Sequence, residues 1–405
     1  MRRNPRPGLI LIALAFAGFV SLGLPDGLNG VAWPSIRSYF NLPVDSLGSL
    51  LVMFTFGYLL SSFISGRLLS FMSVGTLLAL SCVATAVSLI GYALAAAWSM
   101  MLMLGALAGF GAGAIDAGLN TFAATQFNAR MVNWLHACYG AGAAIGPLIM
   151  TGVLSAHHPW QRGYALVGAG QFGLAICFVL TRKSWRVTHP PVLEPSSSIP
   201  VTQASNLSTL KLPVAWLSMA VFFVYTGIEA AAGTWSYSLF TESRGLPMKS
   251  ACMWVSVYWG SLSVGRLLSG IVVGFVPAAR LLRLCIVIMS LGAAMICLNV
   301  APQLSFVGLG LLGLASAPIF PSLIAATPAR LGPAHTANSI GFQIAAAVLG
   351  QSLLPALVGV LAVKFGLGIV GPALLVAALL LLALYQVLTV TGDTSKPRKQ
   401  AHVTA

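Results

Sequence analysis

Three acidic residues lie inside long apolar segments, where a charged side chain is least expected: Asp26, Asp116 and Glu229. Placing a carboxylate at the centre of a bilayer costs on the order of 2.5–3.5 kcal/mol on insertion scales, so such residues usually have a function. A carboxyl group at that depth can gain and lose a proton while a solute crosses beside it. We therefore predict that these residues couple proton movement to transport, with Asp116 as the main protonation site.

Asp116 lies in the stretch GFGAGAIDAGLNTF, at positions 109–122. Gly109, Gly113, Asp116 and Asn120 are separated by four, three and four residues, which places them on one face of a helix. The glycines allow a neighbouring helix or a ligand to approach closely, and Asp116 and Asn120 offer polar atoms at the same depth. The alternative is a structural Asp that is hydrogen-bonded to a neighbouring helix.

The first apolar segment carries a second polar group, in which Asp26, Asn29 and Trp33 share one helical face. An indole ring beside carboxylate and amide groups suits a sugar, because the ring packs against C–H faces while the polar groups bind hydroxyls. Trp33 has an alternative role at the membrane interface, where tryptophan is enriched. Pro25 removes a backbone donor and predicts a break in this helix.

Polar residues recur on the faces of three further apolar segments, and Tyr225 shares the face of Glu229. We predict that the substrate is bound by Asn29, Trp33 and Asn120, together with Asn133, His136 and Tyr139 on the fifth segment, Trp235 on the seventh, and Gln343 and Gln351 on the eleventh. The alternative for His136 and the glutamines is hydrogen bonding within helix packing.

The composition is that of an integral membrane protein. Of 405 residues, 58% are hydrophobic and 7% are charged, and the mean hydropathy is +0.92, whereas soluble domains carry about 25% charged residues. The net charge of +14 does not indicate nucleic-acid binding, because the cations lie mainly between apolar segments, as the positive-inside rule explains. The six cysteines form no CxxC pair, and we find no nucleotide loop, metal-ligand spacing or nucleophile–base pair. We predict neither an enzyme nor a bound cofactor.

Twelve apolar segments approach or exceed the roughly 20 residues that span a bilayer. They lie near 9–37, 47–69, 75–97, 99–127, 133–155, 163–181, 213–240, 251–273, 279–300, 304–328, 335–362 and 367–391. We predict an all-α membrane protein with twelve transmembrane helices in two pseudo-symmetric six-helix bundles. We expect an N-terminal bundle at residues 1–181, a Pro- and Ser-rich cytoplasmic linker at 182–212, a C-terminal bundle at 213–391 and a cytoplasmic tail at 392–405.

The distribution of cations and an internal repeat support this topology. If both termini are inside the cell, most Lys and Arg residues fall in cytoplasmic loops or at cytoplasmic helix ends. Arg266 is assigned to such a helix end on this basis, and no arginine is predicted at mid-span. The string GRLLS occurs at Gly66–Ser70 and again at Gly265–Ser269, at the same end of the second span of each half. Paired bundles are typical of secondary transporters that bind their ligand near the bilayer midplane. We expect a monomeric, multi-pass protein of a bacterial inner membrane.

Over nearly its whole length the chain resembles the fucose/glucose/galactose–proton symporter family of the major facilitator superfamily. The blocks NGVAWPSIRSYF, GAGAIDAGLN, VNWLHACYGAGA, GIEAAAGTWSY, GRLLSG and APIFPSL are similar to blocks of that family in helices one, four, five, seven, eight and ten. The family has an acid where this chain has Gly30, and Asp26, one turn earlier, is a candidate substitute. The resemblance implies that five residues of this chain lie at positions matching the family's motifs: Asp116, Asn120, Asn133, Glu229 and Trp235.

We therefore expect an alternating-access transporter that moves a hexose-like monosaccharide inward with a proton. Its expected partners are the sugar, the proton and the lipid bilayer, without nucleic acid or metal. A sodium-coupled sugar symporter would use the same carboxyl groups. A drug–proton antiporter is suggested by the Gly-rich run GAGAAIGP on the fifth span, and a receptor or scaffold that transports nothing is the remaining alternative.

Overall fold

The computed structural model describes residues 8–127, 129–185, 204–272, 277–332 and 334–394, and the regular structure of these residues is helical. Short 3-10 or π turns follow α6 and α8 and precede α14. The helices are α1 Leu9–Tyr39, α2 Ser46–Phe71, α3 Val74–Leu94, α4 Trp98–Gln126, α5 Ala129–Ser155, α6 Gln161–Thr181, α7 Asn206–Leu210, α8 Pro213–Ser238, α9 Met248–Val272, α10 Ala278–Leu298, α11 Pro302–Ser316, α12 Ile319–Leu331, α13 Thr336–Phe365 and α14 Val370–Thr394.

The predicted spans are present as helices in this part of the chain. Eleven of its helical spans are long and apolar enough to cross a membrane, and α9, with 25 residues, supplies the remaining helix but is richer in polar residues. The tenth span is divided into α11 and α12, which the sequence did not predict. Pro318 lies between them and has no N–H to continue the helix. The Tyr225 hydroxyl oxygen lies 2.9 Å from the Ser316 carbonyl oxygen, where α11 ends.

The two halves of the chain use the same helix pairing, as the predicted pseudo-symmetry requires. In the first half α1 packs on α5, α2 on α4 and α3 on α6, and in the second half α8 packs on α13, α9 on α11 and α10 on α14. The halves contact each other through α1 and α8, α2 and α13, and α5 and α9. The two GRLLS copies lie on α2 and α9, which are equivalent helices in this arrangement.

Glycines allow the paired helices to pack backbone against backbone. A Cβ atom at Gly27 of α1 would lie 2.2 Å from the Ala143 carbonyl oxygen of α5. A Cβ atom at Gly109 of α4 would lie 1.8 Å from the Phe54 carbonyl oxygen of α2, and Gly113 contacts α2 in the same way. The glycine face predicted around Asp116 therefore receives a neighbouring helix, and this close approach brings α2 side chains to Asp116.

The predicted break of the first helix at Pro25 is wrong, because α1 continues through Pro25 without interruption. A proline cannot donate to the carbonyl four residues earlier, which here belongs to Ser21. The Gln171 side chain of α6 donates its Nε2–H to this carbonyl oxygen at 3.3 Å. A neighbouring helix thus supplies the hydrogen bond that proline removes, which is how transmembrane helices accommodate proline.

Part of the predicted linker packs against the second half. Residues 186–203 lie outside the described residues, but Ala204 donates its backbone N–H to the Ala334 carbonyl at 3.0 Å. The Thr209 hydroxyl, on the short helix α7, lies 2.9 Å from Nδ1 of His335. These contacts attach the end of the linker to the connection between α12 and α13. Most of the predicted tail also lies outside the described residues, since α14 ends at Thr394.

Because the spans alternate in direction, one end of the bundle carries both the first residue of α1 and the last residue of α14. We call it the terminal end, and the opposite end the far end. At the far end the halves are in close contact: a Cβ atom at Gly30 of α1 would lie 2.7 Å from the Thr234 carbonyl oxygen of α8. Nearby, Arg37 forms an ion pair with Glu242, again joining the first half to the second.

Candidate functional site

Asp116 is held on α4 by two neutral hydrogen-bond donors. The Tyr58 hydroxyl of α2 donates to Oδ2 at 2.7 Å, and the Asn120 amide, one turn along α4, donates to Oδ1 at 2.9 Å. All three side chains are partly exposed. The sequence placed Asp116 and Asn120 on one face, and the structure joins them directly. Tyr58 was not predicted, because the α2–α4 pairing that brings it to Asp116 depends on the tertiary fold.

A second cluster crosses the contact between the two halves. In the first half, the Tyr139 hydroxyl of α5 donates to Oδ2 of Asp26 on α1 at 2.5 Å. The guanidinium of Arg266, on α9, lies 6.0 Å from the centre of the Tyr139 ring, within cation–π range. Arg266 also donates to the His136 carbonyl at 3.3 Å and lies 3.5 Å from Oε1 of Glu229 on α8. Asp26 and Glu229 are therefore the two ends of one chain of contacts.

Glu229 is the most enclosed of the three acids, with 6% of its side chain exposed. The Tyr225 hydroxyl, four residues earlier on α8, donates to Oε2 at 2.5 Å, as their shared helical face predicted. The Tyr258 hydroxyl of α9 donates to the backbone carbonyl of Glu229 at 2.8 Å. The sequence interpretation of Arg266 as a residue of the helix end is wrong, because its guanidinium reaches Glu229 inside the protein. The clue was Arg266 within the repeated GRLLS string.

The face of α9 that packs against α5 is polar along most of its length. Cys252, Ser256, Trp259, Ser263 and Arg266 follow a spacing of four and three residues, which is one face of a helix. Cys252 contacts the carbonyl of Pro147 on α5 at 3.2 Å, and a Cβ atom at Gly140 would lie 2.3 Å from the Ser263 hydroxyl. We call these five residues the α9 stripe. The stripe explains why α9 is the least apolar of the long helices.

Two polar groups of the α9 stripe could each form a further hydrogen bond. Within the described ranges, the Ser256 hydroxyl and the Trp259 indole N–H are buried without a hydrogen-bond partner. The Trp259 ring packs edge-on against Tyr139, with 6.4 Å between ring centres. Buried donors without a partner are uncommon in folded proteins and call for an explanation. Here they lie next to the chain of contacts that joins Asp26 to Glu229.

The two tryptophans predicted to bind substrate lie elsewhere. Trp33 is fully buried among aromatic residues near the far end, and its indole N–H donates to the Val44 carbonyl at 3.1 Å. Trp235 is also fully buried and donates to the Pro355 carbonyl of α13 at 2.9 Å. Both indole groups already have structural partners, so the structure does not bring either to the two clusters.

Gln343 and Asn29 also have partners within one half of the protein. Gln343 is buried and bonds the Thr327 hydroxyl at 3.0 Å and the Ser218 hydroxyl at 3.1 Å, which ties α13 to α12 and α8. The Asn29 side-chain oxygen accepts from the Tyr164 hydroxyl at 2.7 Å. Asn29 also borders a cavity of about 20 Å³ inside the first half, which has room for one water molecule.

His136 and Asn133 lie on α5. The His136 ring packs edge-on against Phe19, with 5.1 Å between ring centres, and the His136 carbonyl accepts a hydrogen bond from Arg266. The Asn133 side chain lies outside the described residues, so its predicted role is left as a prediction.

Gln351 is exposed near the middle of α13. Helix α13 contacts α8 on one side and α2 on the other. On the face between them Ile344 is 44% exposed and Gln351 is also exposed, whereas Pro355 and Ala362, nearer the far end on the same face, are buried. On this face of α13 the exposed residues therefore precede the buried ones, which lie nearer the far end, where the halves are in contact.

Comparison with solved structures supports the fold. A variant of the E. coli fucose:proton symporter FucP is 15% identical, with 96% of this chain and 99% of that chain covered at a TM-score of 0.63. The nucleoside transporter NupG is 16% identical, with 95% and 98% covered at a TM-score of 0.67. The peptide transporter POT is 14% identical, with 96% and 97% covered at a TM-score of 0.70. At these identities the likeness is one of fold.

Comparison with sequences gives the family. No curated protein sequence matches the chain. The profile of the Major Facilitator Superfamily matches residues 11–301, which is most of the chain and includes α1 to α10. The paired bundles, the helix pairing and this match agree, and the chain therefore belongs to the major facilitator superfamily, as a multi-pass membrane transporter rather than an enzyme.

Proposed function

We propose that this transporter carries a hexose-like monosaccharide together with a proton, and that Asp116 is the group that binds the proton. The observation that carries the proposal is the set of partners of Asp116, which are the neutral donors Tyr58 and Asn120. Glu229, in contrast, lies beside Arg266. A neighbouring arginine charge stabilises the ionised form of a carboxyl group more strongly than hydrogen bonds from neutral donors do, so a carboxyl group with neutral partners regains its proton more readily.

The proton on Asp116 would govern when the carrier can reorient. A charged carboxylate enclosed in a dry, closed intermediate is costly in a membrane. A neutral Asp116 avoids this cost, so the protonated and loaded carrier passes between its two open conformers. Proton and sugar each bias the same conformational balance, and their effects are linked for that reason.

The chain from Asp26 to Glu229 supports a hydroxyl-rich substrate. The rings of Tyr139 and Trp259 offer faces for sugar C–H groups, while Asp26 and Arg266 offer hydrogen bonds to hydroxyls. The unpartnered Trp259 indole N–H would find an acceptor in a sugar oxygen, since a buried donor gains most from a new partner. Our proposed sugar-binding set is Asp26, Asn120, His136, Tyr139, Trp259 and Gln351. Asn29, Trp33, Trp235 and Gln343 are left out, because the partner of each lies outside the two clusters of acids.

The test is uptake into liposomes that contain the purified protein, with Asp116→Asn as the variant. Asn keeps atoms that can bond both Tyr58 and Asn120, so the fold should be preserved. We expect the variant to lose accumulation driven by a proton gradient but to keep exchange of labelled sugar down its own gradient. Asp45→Asn is the matched control, because it is the same substitution just before α2 rather than inside a span.

The other outcomes are equally specific. Accumulation of sugar against a gradient by Asp116→Asn would show that Asp116 does not couple transport to protons. Accumulation that follows a sodium gradient would assign the carrier to sodium. Uptake of nucleosides or peptides in place of sugars would assign it a substrate like those named for NupG or POT. Proton-driven expulsion of a lipophilic dye would identify the protein as a drug exporter. If no solute is transported, a receptor or scaffold is the remaining alternative.

We further infer that the terminal end faces the cytoplasm of a bacterial cell and that the protein acts as a monomer. The positive-inside rule supports the orientation. At the terminal end α10 begins and α12 ends with arginines, and Arg182 and Lys183 follow α6. Protease or thiol-reagent access to the linker in right-side-out and inverted vesicles would test the orientation.

A further inference from the structure

Three arginines converge at the terminal end of the second half. Arg280 and Arg283 lie in the first two turns of α10, and Arg330 lies in the last turn of α12. The Arg330 guanidinium lies 5.9 Å from the centre of the Tyr385 ring of α14, and the Tyr385 hydroxyl donates to the Ala279 carbonyl at 3.3 Å. Arg283 is close enough to Tyr385 for an electrostatic interaction. Tyr385 thus connects the three helices, and we call these three arginines the arginine cluster.

The charge of the arginine cluster is not compensated by the described residues. The ion pairs found among them involve Arg37 and Arg266, far from this cluster. Nη1 of Arg330 is buried and has no hydrogen-bond partner in the described part of the chain. A buried charged donor without an acceptor costs more than a neutral one. In addition, Arg280 and Arg283 lie at the positive end of the α10 dipole, so the field there attracts an anion.

The surface next to the arginine cluster is apolar. On α10, Leu284 is 57% exposed, Val287 37% and Leu291 57%, and they continue the face that begins at Arg280. A free anion gains nothing from contact with an apolar surface, whereas the acyl chain of a lipid can pack along it. The cluster itself lies near the ends of membrane spans, at the depth of lipid headgroups.

From this combination we propose that the arginine cluster binds the phosphate of an anionic phospholipid in the leaflet at the terminal end. Arginine is suited to this ligand, because its planar guanidinium donates two parallel hydrogen bonds to phosphate oxygens. The lipid phosphate would bind the exposed Arg280 and Arg283, the charge of the partly buried Arg330 would add to the attraction, and the acyl chain would cover Leu284 and Leu291. The site is separate from the proposed transport pathway.

The experiment measures the affinity of the full-length protein for phosphatidylglycerol against a phosphatidylcholine background, by thermal-shift titration and by lipid retention in native mass spectrometry. The test variant is Arg280→Gln/Arg283→Gln/Arg330→Gln. Its matched control, Arg182→Gln/Lys183→Gln/Lys211→Gln, removes the same charge from exposed sites at the same end. We expect roughly a hundredfold weaker binding in the test variant, at about fivefold for each arginine removed, and wild-type binding in the control. Arg280→Gln/Arg283→Gln retains the partly buried Arg330 and serves if the triple variant does not fold.

Three results would overturn the proposal. Equal loss of lipid binding in the test variant and the control would indicate diffuse surface charge instead of a site. Undiminished binding in the test variant would exclude the arginine cluster. Stabilisation of the wild type by inorganic phosphate as strong as that by phosphatidylglycerol would indicate a free-phosphate site.

Discussion

The ion pair between Arg266 and Glu229 is the contact of the candidate site whose energy can be worked out most directly. Arg266→Gln leaves the Glu229 carboxyl group, 6% exposed, with the Tyr225 hydroxyl as its side-chain partner. Removing one member of a buried pair typically costs about 3–5 kcal/mol. The separation of 3.5 Å and the 18% exposure of Arg266 weaken this pair, so we expect a loss of about 2–3 kcal/mol in the free energy of unfolding.

A double-mutant cycle separates this pair from the other contacts of each residue. Glu229→Gln removes the charge but keeps an acceptor for Tyr225, and the double variant Arg266→Gln/Glu229→Gln leaves two neutral amides. We expect the double variant to be more stable than the sum of the single changes predicts, by about 1–2 kcal/mol. Unfolding of the purified protein in detergent, followed by tryptophan fluorescence, gives the four free energies. Asp45→Asn again controls for the loss of a carboxylate elsewhere.

A coupling energy below about 0.5 kcal/mol would refute this reasoning, because residues that do not interact are additive within that limit. Arg266 and Glu229 would then act independently in the folded protein. The chain of contacts from Asp26 through Tyr139 and Arg266 would end before it reached the second carboxyl group, and Arg266 would have to be explained by its contact with α5 alone.

Two further predictions concern contacts outside the candidate site. Gln171→Ala should destabilise the protein by about 1–3 kcal/mol, because it leaves the Ser21 carbonyl without a donor, and Pro25→Ala should remove most of that loss by restoring a backbone N–H. Thermal unfolding of the single and double variants compares them, and an equal loss in both backgrounds would contradict the link to Pro25. Arg37→Glu should loosen the far end by setting like charges face to face, and Arg37→Glu/Glu242→Arg should restore it, with each step worth up to about 1 kcal/mol. Hydrogen–deuterium exchange of the far-end loops measures this, and identical exchange in the single reversal and the swap would show that the pair does not hold the far end.

The helices could be predicted from the sequence because the bilayer fixes both their length and their composition. A segment of about 20 apolar residues leaves few alternatives to a spanning helix, and the bounds found for α1 to α6 lie within a few residues of those expected. The break between α11 and α12 was missed because proline alone does not decide it. Pro25 leaves α1 intact with the help of Gln171, whereas α11 ends before Pro318.

The candidate site was predictable only where its members lie on one helix. The pairs Asp116 with Asn120 and Tyr225 with Glu229 are each four residues apart, and both are hydrogen-bonded. Tyr58, Trp259 and Arg266 reach the acids from other helices, and helical periodicity carries no information about which helices pack together. The same limit explains Trp33 and Trp235, whose indole groups face carbonyls of segments that the sequence could not place.

The contacts of the three acids divide into those within a half and those between halves, and this division constrains how the transporter moves. The Asp116–Tyr58 and Asp26–Tyr139 hydrogen bonds join helices of the first half, and the pair of Arg266 with Glu229 joins helices of the second. When the halves rock against each other as rigid bodies, these three contacts can persist unchanged.

Among the described residues of this cluster, Arg266 crosses from one half to the other through its contacts with Tyr139 and the His136 carbonyl, and Trp259 crosses through its ring contact with Tyr139. A cation–π contact and one long hydrogen bond are each weak, about 1 kcal/mol, and so can break in every cycle. Opening the far end must separate α5 from α9 along the α9 stripe, and this exposes the unpartnered donors of Ser256 and Trp259 to solvent or to a ligand. The unpartnered donors on α9 therefore lie where the movement of the two halves would expose them to a new hydrogen-bond partner.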